Sequence, residues 1–304
     1  MRAARFNEYG DPEVLHIDDI PLPDPGPGQV RIRVMAHAVN PIDWKVRSGT
    51  SPVVQHFPAG TGRDASGIVD AVGEGVDASL IGRAVMGLAP DTAAAEYTVL
   101  HHWADKPDTI SWDEAAAIPL AAETSMRVIR TTSVAPGDTV LVDAASGSVG
   151  LATLNFAREL GLRVVGTCSP ANADLLRSAG AIPINFGEWS HAQLAAVGVD
   201  HIDHVFDYSG RSLPQLIELM GDPSTIVGIV DHANGPKLGI HDSGASATVG
   251  AFDAIGLAGD LAGKGRFPVR LGKRYTLDQI SDAQRDCHAG AQGKLIVQIG
   301  ELEG

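Results

Sequence analysis

Residues 139–143 (TVLVD) form a short apolar run, Ala144-Ala-Ser-Gly-Ser-Val-Gly150 follows at once, and residues 149–160 (VGLATLNFAREL) repeat apolar positions at helical spacing. A continuous apolar run suits a strand buried on both faces, so this stretch must fold as strand, sharp turn and helix. Ala145, Gly147 and Gly150 have the spacing of G-x-G-x-x-G with Ala in the first place. Such a turn lets the backbone approach a pyrophosphate, and the helix N-terminus offers it free N–H groups and partial positive charge. The whole turn, Ala145, Ser146, Gly147, Ser148, Val149 and Gly150, is therefore a candidate dinucleotide cradle. Methyltransferases carry a similar turn, so the motif alone leaves that class open.

The flanking sequence fixes the fold class as α/β. Beyond the turn, residues 163–167, 202–208 and 224–230 read as strands and residues 171–179 as a helix, the alternation of a doubly wound parallel sheet. The first third has another rhythm. Residues 30–39 (VRIRVMAHAV) alternate like a half-buried strand after a loop dense in Pro and Gly, and residues 67–76, 83–88 and 95–100 read as further short strands. That pattern points to a barrel or sandwich. Residues 276–289 read as a helix and 294–299 (KLIVQI) as a last strand, expected to return to the N-terminal part. Residues 239–265, rich in Gly, Ala and Ser, fit either a flexible substrate-facing segment or a small-residue packing surface.

A dinucleotide site that prefers NAD places an acid about 20 residues past the turn, on the ribose 2′-hydroxyl. Here the second strand runs into Gly166-Thr-Cys-Ser-Pro-Ala-Asn172 with no acid. A carboxylate there would repel a 2′-phosphate by about 1–4 kcal/mol at 4 Å per unit charge. Thr167, Ser169 and Asn172 offer neutral polar groups instead, with Arg177 about one helical turn further. They suit NADPH, and they also suit capping of the helix that follows.

The net charge of −14 repels phosphate backbones and anionic membrane faces, so nucleic-acid binding is not expected. Two cysteines, Cys168 and Cys287, allow one disulfide at most and fit a reducing, cytoplasmic setting. The N-terminus lacks the apolar run of a signal peptide. No stretch approaches the ~18 apolar residues of a membrane helix, so no membrane partner is expected.

Five segments, taken in order, resemble the medium-chain dehydrogenase/reductase superfamily and, within it, the zinc-independent quinone oxidoreductase branch. Val39-Asn-Pro-Ile-Asp-Trp-Lys-Val-Arg-Ser-Gly49 is similar to the branch's N-P-x-D-x-x-x-R-x-G, and Gly62-Arg-Asp-Ala-Ser-Gly-Ile-Val-Asp-Ala-Val-Gly73 to its G-x-[DE]-x-x-G-x-V-x-x-V-G. Asp113-Glu-Ala-Ala-Ala-Ile-Pro119, Phe206-Asp-Tyr-Ser-Gly210 and Gly293-Lys-Leu-Ile-Val297 match later signatures. The resemblance implies a GroES-like β-barrel catalytic domain (1–118 and 268–304) around a Rossmann NADP-binding domain (119–267), a cleft active site between them and a homodimer. It places Thr124, Tyr208, Ser209, Gly210, Ile229 and Val230 along the cofactor, with Lys294 reaching a phosphate.

The resemblance also bears on metal. Zinc-dependent relatives carry Cys near the position of Asn40 and His at that of Arg63, and a catalytic zinc needs about three protein ligands. No metal site is expected. His201-x-x-His204 lies in a strand-like context that would turn the rings to opposite faces, and His101-His102 reads as an exposed loop pair. Without a Lewis acid, a conjugated carbonyl is the easier hydride acceptor, so the expected activity is NADPH-dependent reduction of a quinone or enone. The expected catalytic residues are Asn40, facing the nicotinamide, and Asp43, fixing its loop; turn chemistry around Pro41 accounts for the pair equally well. Arg63 and Asp64 are expected to pair with each other. Water, Lys45 or a tyrosine would supply the proton. Glu123 and Ser125 depart from the apolar residues of relatives. The alternatives are a 2-alkenal or enoyl reductase and a non-catalytic NADPH-binding sensor.

Overall fold

The computed structural model describes residues 1–187, 189–244 and 250–300. The chain divides into two compact units, Met1–Leu120 with Phe252–Gly304, and Ala121–Ala251.

The first unit opens with β1 (Arg2–Phe6), β2 (His16–Asp19), β3 (Val30–Ala38), helix α1 (Pro41–Arg47), β4 (Ala59–Gly60), β5 (Asp64–Val72), β6 (Ala84–Leu88), β7 (Tyr97–Leu100), β8 (His102–Asp105) and α2 (Trp112–Ala117). Helix α3 (Pro119–Thr131) leads into the second unit, which holds β9 (Thr139–Asp143), α4 (Ser148–Glu159), β10 (Arg163–Cys168), α5 (Ala173–Ser178), β11 (Ile182–Asn185), α6 (His191–Ala196), β12 (His204–Asp207), α7 (Leu213–Met220), β13 (Ile226–Gly228) and β14 (His241–Asp242). The chain then returns to the first unit as α8 (Ala254–Gly263), β15 (Leu271–Thr276), α9 (Ile280–His288) and β16 (Lys294–Gln298).

In the first unit one sheet runs β15-β16-β3-β5-β6-β8, with β7 also on β3, and a second runs β2-β1-β4. The alternation read in residues 30–39 has its physical basis here: Val30, Ile32 and Val34 are fully buried with Val69, Val85 and Leu100, while Arg31 and Arg33 face outward to partial solvent. The terminal strand does return to the N-terminal part. β16 pairs with β3, Ile296 opposite Ala38 and Val297 opposite His37. Both ends of the chain thus share one core, where Phe6 and Val39 meet Tyr275, Ile280, Leu295 and Val297.

Two polar side chains hold α1 against α9. Buried Arg47 donates from Nε to Gln284 Oε1 at 2.8 Å and also to the Gly10 carbonyl, and Gln284 Nε2 donates to Thr61 Oγ1. The arginine of the segment at Val39–Gly49 is therefore a structural clamp.

In the second unit the strands lie β11-β10-β9-β12-β13-β14, all parallel. In sequence order this is 3-2-1-4-5-6, the doubly wound arrangement in which dinucleotides bind where the strand order reverses. The reversal falls between β9 and β12. β9 is buried along its whole length, which is why its sequence runs apolar rather than alternating.

The unit boundary at Ala251 comes earlier than the 267 expected. Helix α8, with Ala254, Ile255, Ala258 and Ala262 buried, packs on β8 of the first unit. For residues 254–263 the small side chains are therefore a packing surface, and residues 245–249 lie outside the described part. His101 and His102 are both exposed, but His102 begins β8 and its ring stacks on Phe252. Among the described residues, no helix is long and apolar enough to cross a membrane.

Leu141, fully buried in β9, joins the core formed with Val165, Val205, Leu213 and Leu216. Leu141→Ala should destabilise the protein by about 2–5 kcal/mol in chemical denaturation. A loss below ~1 kcal/mol would mean that the centre of this sheet is not tightly packed.

Candidate functional site

The turn after β9 is braced by side chains from the neighbouring strands. Ala144 is the one non-glycine in the left-handed region among the described residues, with φ 59°, which costs roughly 1–2 kcal/mol. Its N–H donates to Thr167 Oγ1 at 2.8 Å, and its carbonyl accepts from Gly147 N–H at 3.0 Å. Ala145 N–H donates to the Thr167 carbonyl. Thr167 Oγ1 in turn donates to Asp143 Oδ1 at 2.5 Å.

Gly147 and Gly150 have different reasons to be glycine. Gly147 has φ −77° and ψ 170°, ordinary for any residue. A Cβ there would meet one protein atom, the Ala144 carbonyl oxygen, at 3.3 Å. A Cβ on Gly150 would lie 2.6 Å from both Cα and O of Ala145, so its glycine serves the close passage of α4 over the turn. Beyond its chain neighbours, no other protein atom lies within 4 Å of the Cβ position at Gly147. The first-turn N–H groups of α4, which an α-helix leaves without intrahelical acceptors, border it.

The predicted neighbours separate into three groups. Ser146, Ser169 and Asn172 come together, Asn172 Nδ2 lying 3.3 Å from both hydroxyl oxygens. Arg177 is exposed and bonded to Asp174 on its own helix at 2.6 Å. Thr167 differs from expectation. It is fully buried and its hydroxyl is committed to Asp143 and Ala144, so it braces the turn instead of meeting a phosphate.

At the end of β12, Ser209 Oγ donates to Asp143 Oδ2, while Ser209 and Gly210 donate their N–H groups to Asp207 Oδ1. Burial pushes the Asp207 carboxyl above its usual range, and neighbouring Asp143 adds to the rise. Tyr208 OH pairs with Thr153 Oγ1 at 2.7 Å, and Thr153 with Ser125 Oγ at 2.9 Å. Burial raises the Tyr208 phenol well above its ordinary value. Ile229 and Val230 follow β13, both half-buried. Thr124 is buried in α3 and donates to Glu123 Oε2 at 3.3 Å. Glu123 itself pairs with Arg127 at 2.8 Å, both sheltered from solvent. The sequence carried this pair as i,i+4 spacing on a helix, a signal the motif reading passed over, as it did Asp143.

The first unit holds a separate buried polar cluster whose geometry follows from strand register. Ala38 at the end of β3 lies opposite Asp64 at the start of β5, and β16 begins beside them with Lys294. Asn40 Nδ2 donates to Asp64 Oδ2 at 2.8 Å and to the Ala38 carbonyl at 3.0 Å. Lys294 Nζ donates to Asn40 Oδ1 and lies 3.4 Å from Asp64 Oδ2. Asp64 Oδ1 accepts the Leu120 N–H, and Asp43 Oδ2 accepts the Asn40 N–H.

Two expectations fail here. Lys294 is 4% exposed with its ammonium spent on Asn40 and Asp64, so it is not a phosphate ligand. Asp64 turns to Lys294 and Asn40 rather than to Arg63. Asn40 and Asp43 do meet, but both amide hydrogens of Asn40 are used within the cluster and its Oδ1 accepts from Lys294. Burial pushes Asp43 up to about 7, against the Asn40 N–H and with the help of Asp64. Burial lowers His37, whose Nδ1 lies 2.8 Å from the Asp64 carbonyl, to about 4. His201 is exposed beside Asp203, outside β12, which begins at His204. Among the described residues, no group of three His, Cys, Asp or Glu side chains is arranged to hold a metal ion.

Two outcomes are expected. Gly147→Val should weaken binding of a reduced nicotinamide dinucleotide by tenfold or more, ~1.4 kcal/mol, in a fluorescence titration. Its melting temperature should drop less than that of Gly150→Ala, whose Cβ meets backbone; unchanged affinity in Gly147→Val would remove the turn from the binding site. The second concerns Asp43. A carboxyl with a raised folded-state pKa contributes stability that is full below its ordinary value of 3.8 and is lost as pH rises to about 7. Asp43→Asn stays neutral, so its stability relative to the wild type should increase between about pH 4 and about pH 8. A constant difference across that range in thermal unfolding would contradict the assignment.

Residues 26–105 match the alcohol dehydrogenase GroES-like domain. Quinone oxidoreductase from Rattus norvegicus is 30% identical over 327 residues, covering 98% of each chain. The structure of the quinone oxidoreductase from Coxiella burnetii superposes with a TM-score of 0.85 at 27% identity, covering 99% of each chain. A mycobacterial protein solved in complex with NADPH superposes with a TM-score of 0.80 at 26% identity, covering 98% of this chain and all of that one. The GroES-like match in the first unit and the 3-2-1-4-5-6 parallel sheet with its glycine turn in the second agree with these likenesses. The chain belongs to the quinone oxidoreductase family of the medium-chain dehydrogenases/reductases, as an oxidoreductase that uses a nicotinamide cofactor.

Proposed function

We propose that the protein reduces a quinone or another small conjugated carbonyl compound with NADPH, without a catalytic metal. The observation that carries the metal-free reading is the Lys294 ammonium among the oxygens of Asn40 and Asp64. By resemblance, Asn40 and Arg63 stand where zinc-dependent relatives hold ligands. Here an internal cation already neutralises Asp64, and a second cation would be repelled at that spot. Lacking a Lewis acid, the protein favours acceptors that spread negative charge onto oxygen by conjugation. Its relatives, named quinone oxidoreductases, accord with that class.

The preference for NADPH rests on the cluster Ser146, Ser169 and Asn172, neutral donors at the end of β10 with no carboxylate among them. Arg177, exposed on the following helix α5, is paired with Asp174 and would have to leave it to meet a 2′-phosphate. The first turn of α4, Ser148 to Gly150, would hold the diphosphate over Gly147. Tyr208, Ser209, Gly210, Ile229, Val230 and Thr124 would line the rest of the dinucleotide. When bound, the reduced nicotinamide supplies a hydride to the acceptor. The chain's own contribution is orientation and electrostatic support. Asn40 and Asp43 act in this reading as positioning residues, because their polar atoms are largely committed to Asp64, Lys294 and each other.

The test is NADPH consumption, with NADH in parallel, against an ortho-quinone, a para-quinone, a 2-alkenal and a simple aldehyde, with and without a chelator. Turnover is expected with NADPH and the conjugated acceptors, at rates the chelator leaves unchanged. Preference for the simple aldehyde, or activity lost to the chelator and restored by zinc, would overturn the reading. Tight NADPH binding with no turnover would favour a sensor.

A further inference from the structure

We propose that His232, oriented by Asp242, is the general acid that protonates the reduced acceptor. This rests on the oxidoreductase reading above.

The residue stands at a defined place. β13 ends at Gly228, and the connection to β14 turns at Asp231, whose side chain accepts the Asn234 N–H at 3.1 Å. β14 then runs parallel to β13, with Asp242 opposite Gly228. His232 therefore lies near the carboxyl ends of β13 and β14. In a sheet of order 3-2-1-4-5-6, β9 to β11 form one mononucleotide half and β12 to β14 the other. The phosphate turn and the acid-free cluster at β10 occupy the first half. The second is left for the nicotinamide and, with it, the reacting atoms.

The seat of the ring is built from several parts. His232 Nδ1 lies 2.9 Å from Asp242 Oδ1, which also accepts the Gly244 N–H at 3.0 Å. That bond places the Nδ1 proton toward the carboxylate and leaves Nε2 as the nitrogen that can hold a transferable proton. Gly244 clears the space, since a Cβ there would lie 1.8 Å from His232 Cε1. Arg127 fixes the same strand end by donating to the Ser243 carbonyl and hydroxyl and to the Gly244 carbonyl, and Glu123 holds Arg127. The charged groups around the ring are thus Asp242, Asp231, Arg127 and Glu123. His232 remains 29% exposed at its side chain, so the ring is not sealed from solvent.

The step balances as follows. The acceptor takes up a hydride at the conjugated carbon, and its electron pair shifts to the carbonyl oxygen. The imidazolium Nε2–H gives its proton to that oxygen and the ring recovers a proton from water. The sum is acceptor plus NADPH plus a proton, giving the two-electron-reduced acceptor plus the oxidised cofactor. Asp242 keeps its bond to Nδ1 throughout and acts as a positioning residue.

The experiment uses His232→Ala, Asp242→Asn and Gly244→Ala in the full chain, with NADPH affinity measured by fluorescence and turnover with the best acceptor of the panel. His232→Ala should lower kcat by ~100-fold, with NADPH affinity changed by less than about threefold. Added imidazole should restore part of its rate. Gly244→Ala, which displaces the ring without removing it, should lower kcat in the same direction. Asp242→Asn should lower kcat by about tenfold and alter the pH profile. A wild-type kcat in His232→Ala would overturn the assignment alone, as would equal losses of kcat and affinity, which mark a structural role. A wild-type protein that binds NADPH and turns over none of the panel would overturn the oxidoreductase reading and this assignment together.

Discussion

The carboxylate of Asp143 is the point on which the carboxyl edge of the parallel sheet depends. It is fully buried at the end of β9, one oxygen bonded by the Thr167 hydroxyl from β10 and the other by the Ser209 hydroxyl from β12. These are the two strands on either side of β9, so one side chain ties together three strand ends where the sheet order reverses. The same Thr167 hydroxyl accepts from Ala144, which holds that residue in its left-handed conformation and sets the path of the turn. A buried carboxylate deprived of one partner costs the desolvation of what is left unpaired, about 1–3 kcal/mol or more for a charge. Removing either hydroxyl would therefore loosen the glycine turn through Asp143, without touching the glycines that define the motif.

The glycine turn and the parallel sheet were legible because they are local. A run buried on both faces, a turn without room for side chains and a helix at 3.6-residue spacing are each written in a few consecutive residues. The return of β16 to β3 was expected and is found, but its register, Ile296 opposite Ala38, was not readable from an apolar pattern of period two. What failed were pairings across long separations. Lys294 and Asn40 are 254 positions apart, and nothing in Gly293-Lys-Leu-Ile-Val297 says that the lysine points into the first unit's interior. Asp64 was assigned to its chain neighbour Arg63. Asp64 opens β5 and is buried, so its partners came from β16 and the start of α1 instead.

Thr167 shows a different limit. Its residue type suits a phosphate ligand and a turn brace equally, and sequence position cannot separate them. Burial decides. A hydroxyl already shared between a carboxylate and a backbone N–H has no hydrogen to offer a ligand. Ser146 and Ser169 differ from it in that the contacts they receive from Asn172, at 3.3 Å, are long and engage no carboxylate. The cysteines carry no such ambiguity. Burial pushes the Cys287 thiol up to about 12 and raises Cys168 as well, which favours the thiol over the thiolate in both.

Glu123 stood out in the sequence because relatives carry an apolar residue there. A buried Glu–Arg pair seldom repays its desolvation against well-packed hydrophobic side chains, so stability alone gives little reason to keep one in α3. Its geometry gives another. The guanidinium spans from Glu123 to the backbone of Ser243 and Gly244, and Glu123 Oε1 also accepts the Ala251 N–H at 3.3 Å. The pair thus anchors both ends of the stretch that follows β14, and it does so with carbonyl and N–H groups that an apolar side chain could not engage. A departure that reads as a blemish in the family pattern is the anchor of the strand end that carries Asp242. The apolar alternative would leave that end, and the imidazole seated on it, without a fixed position.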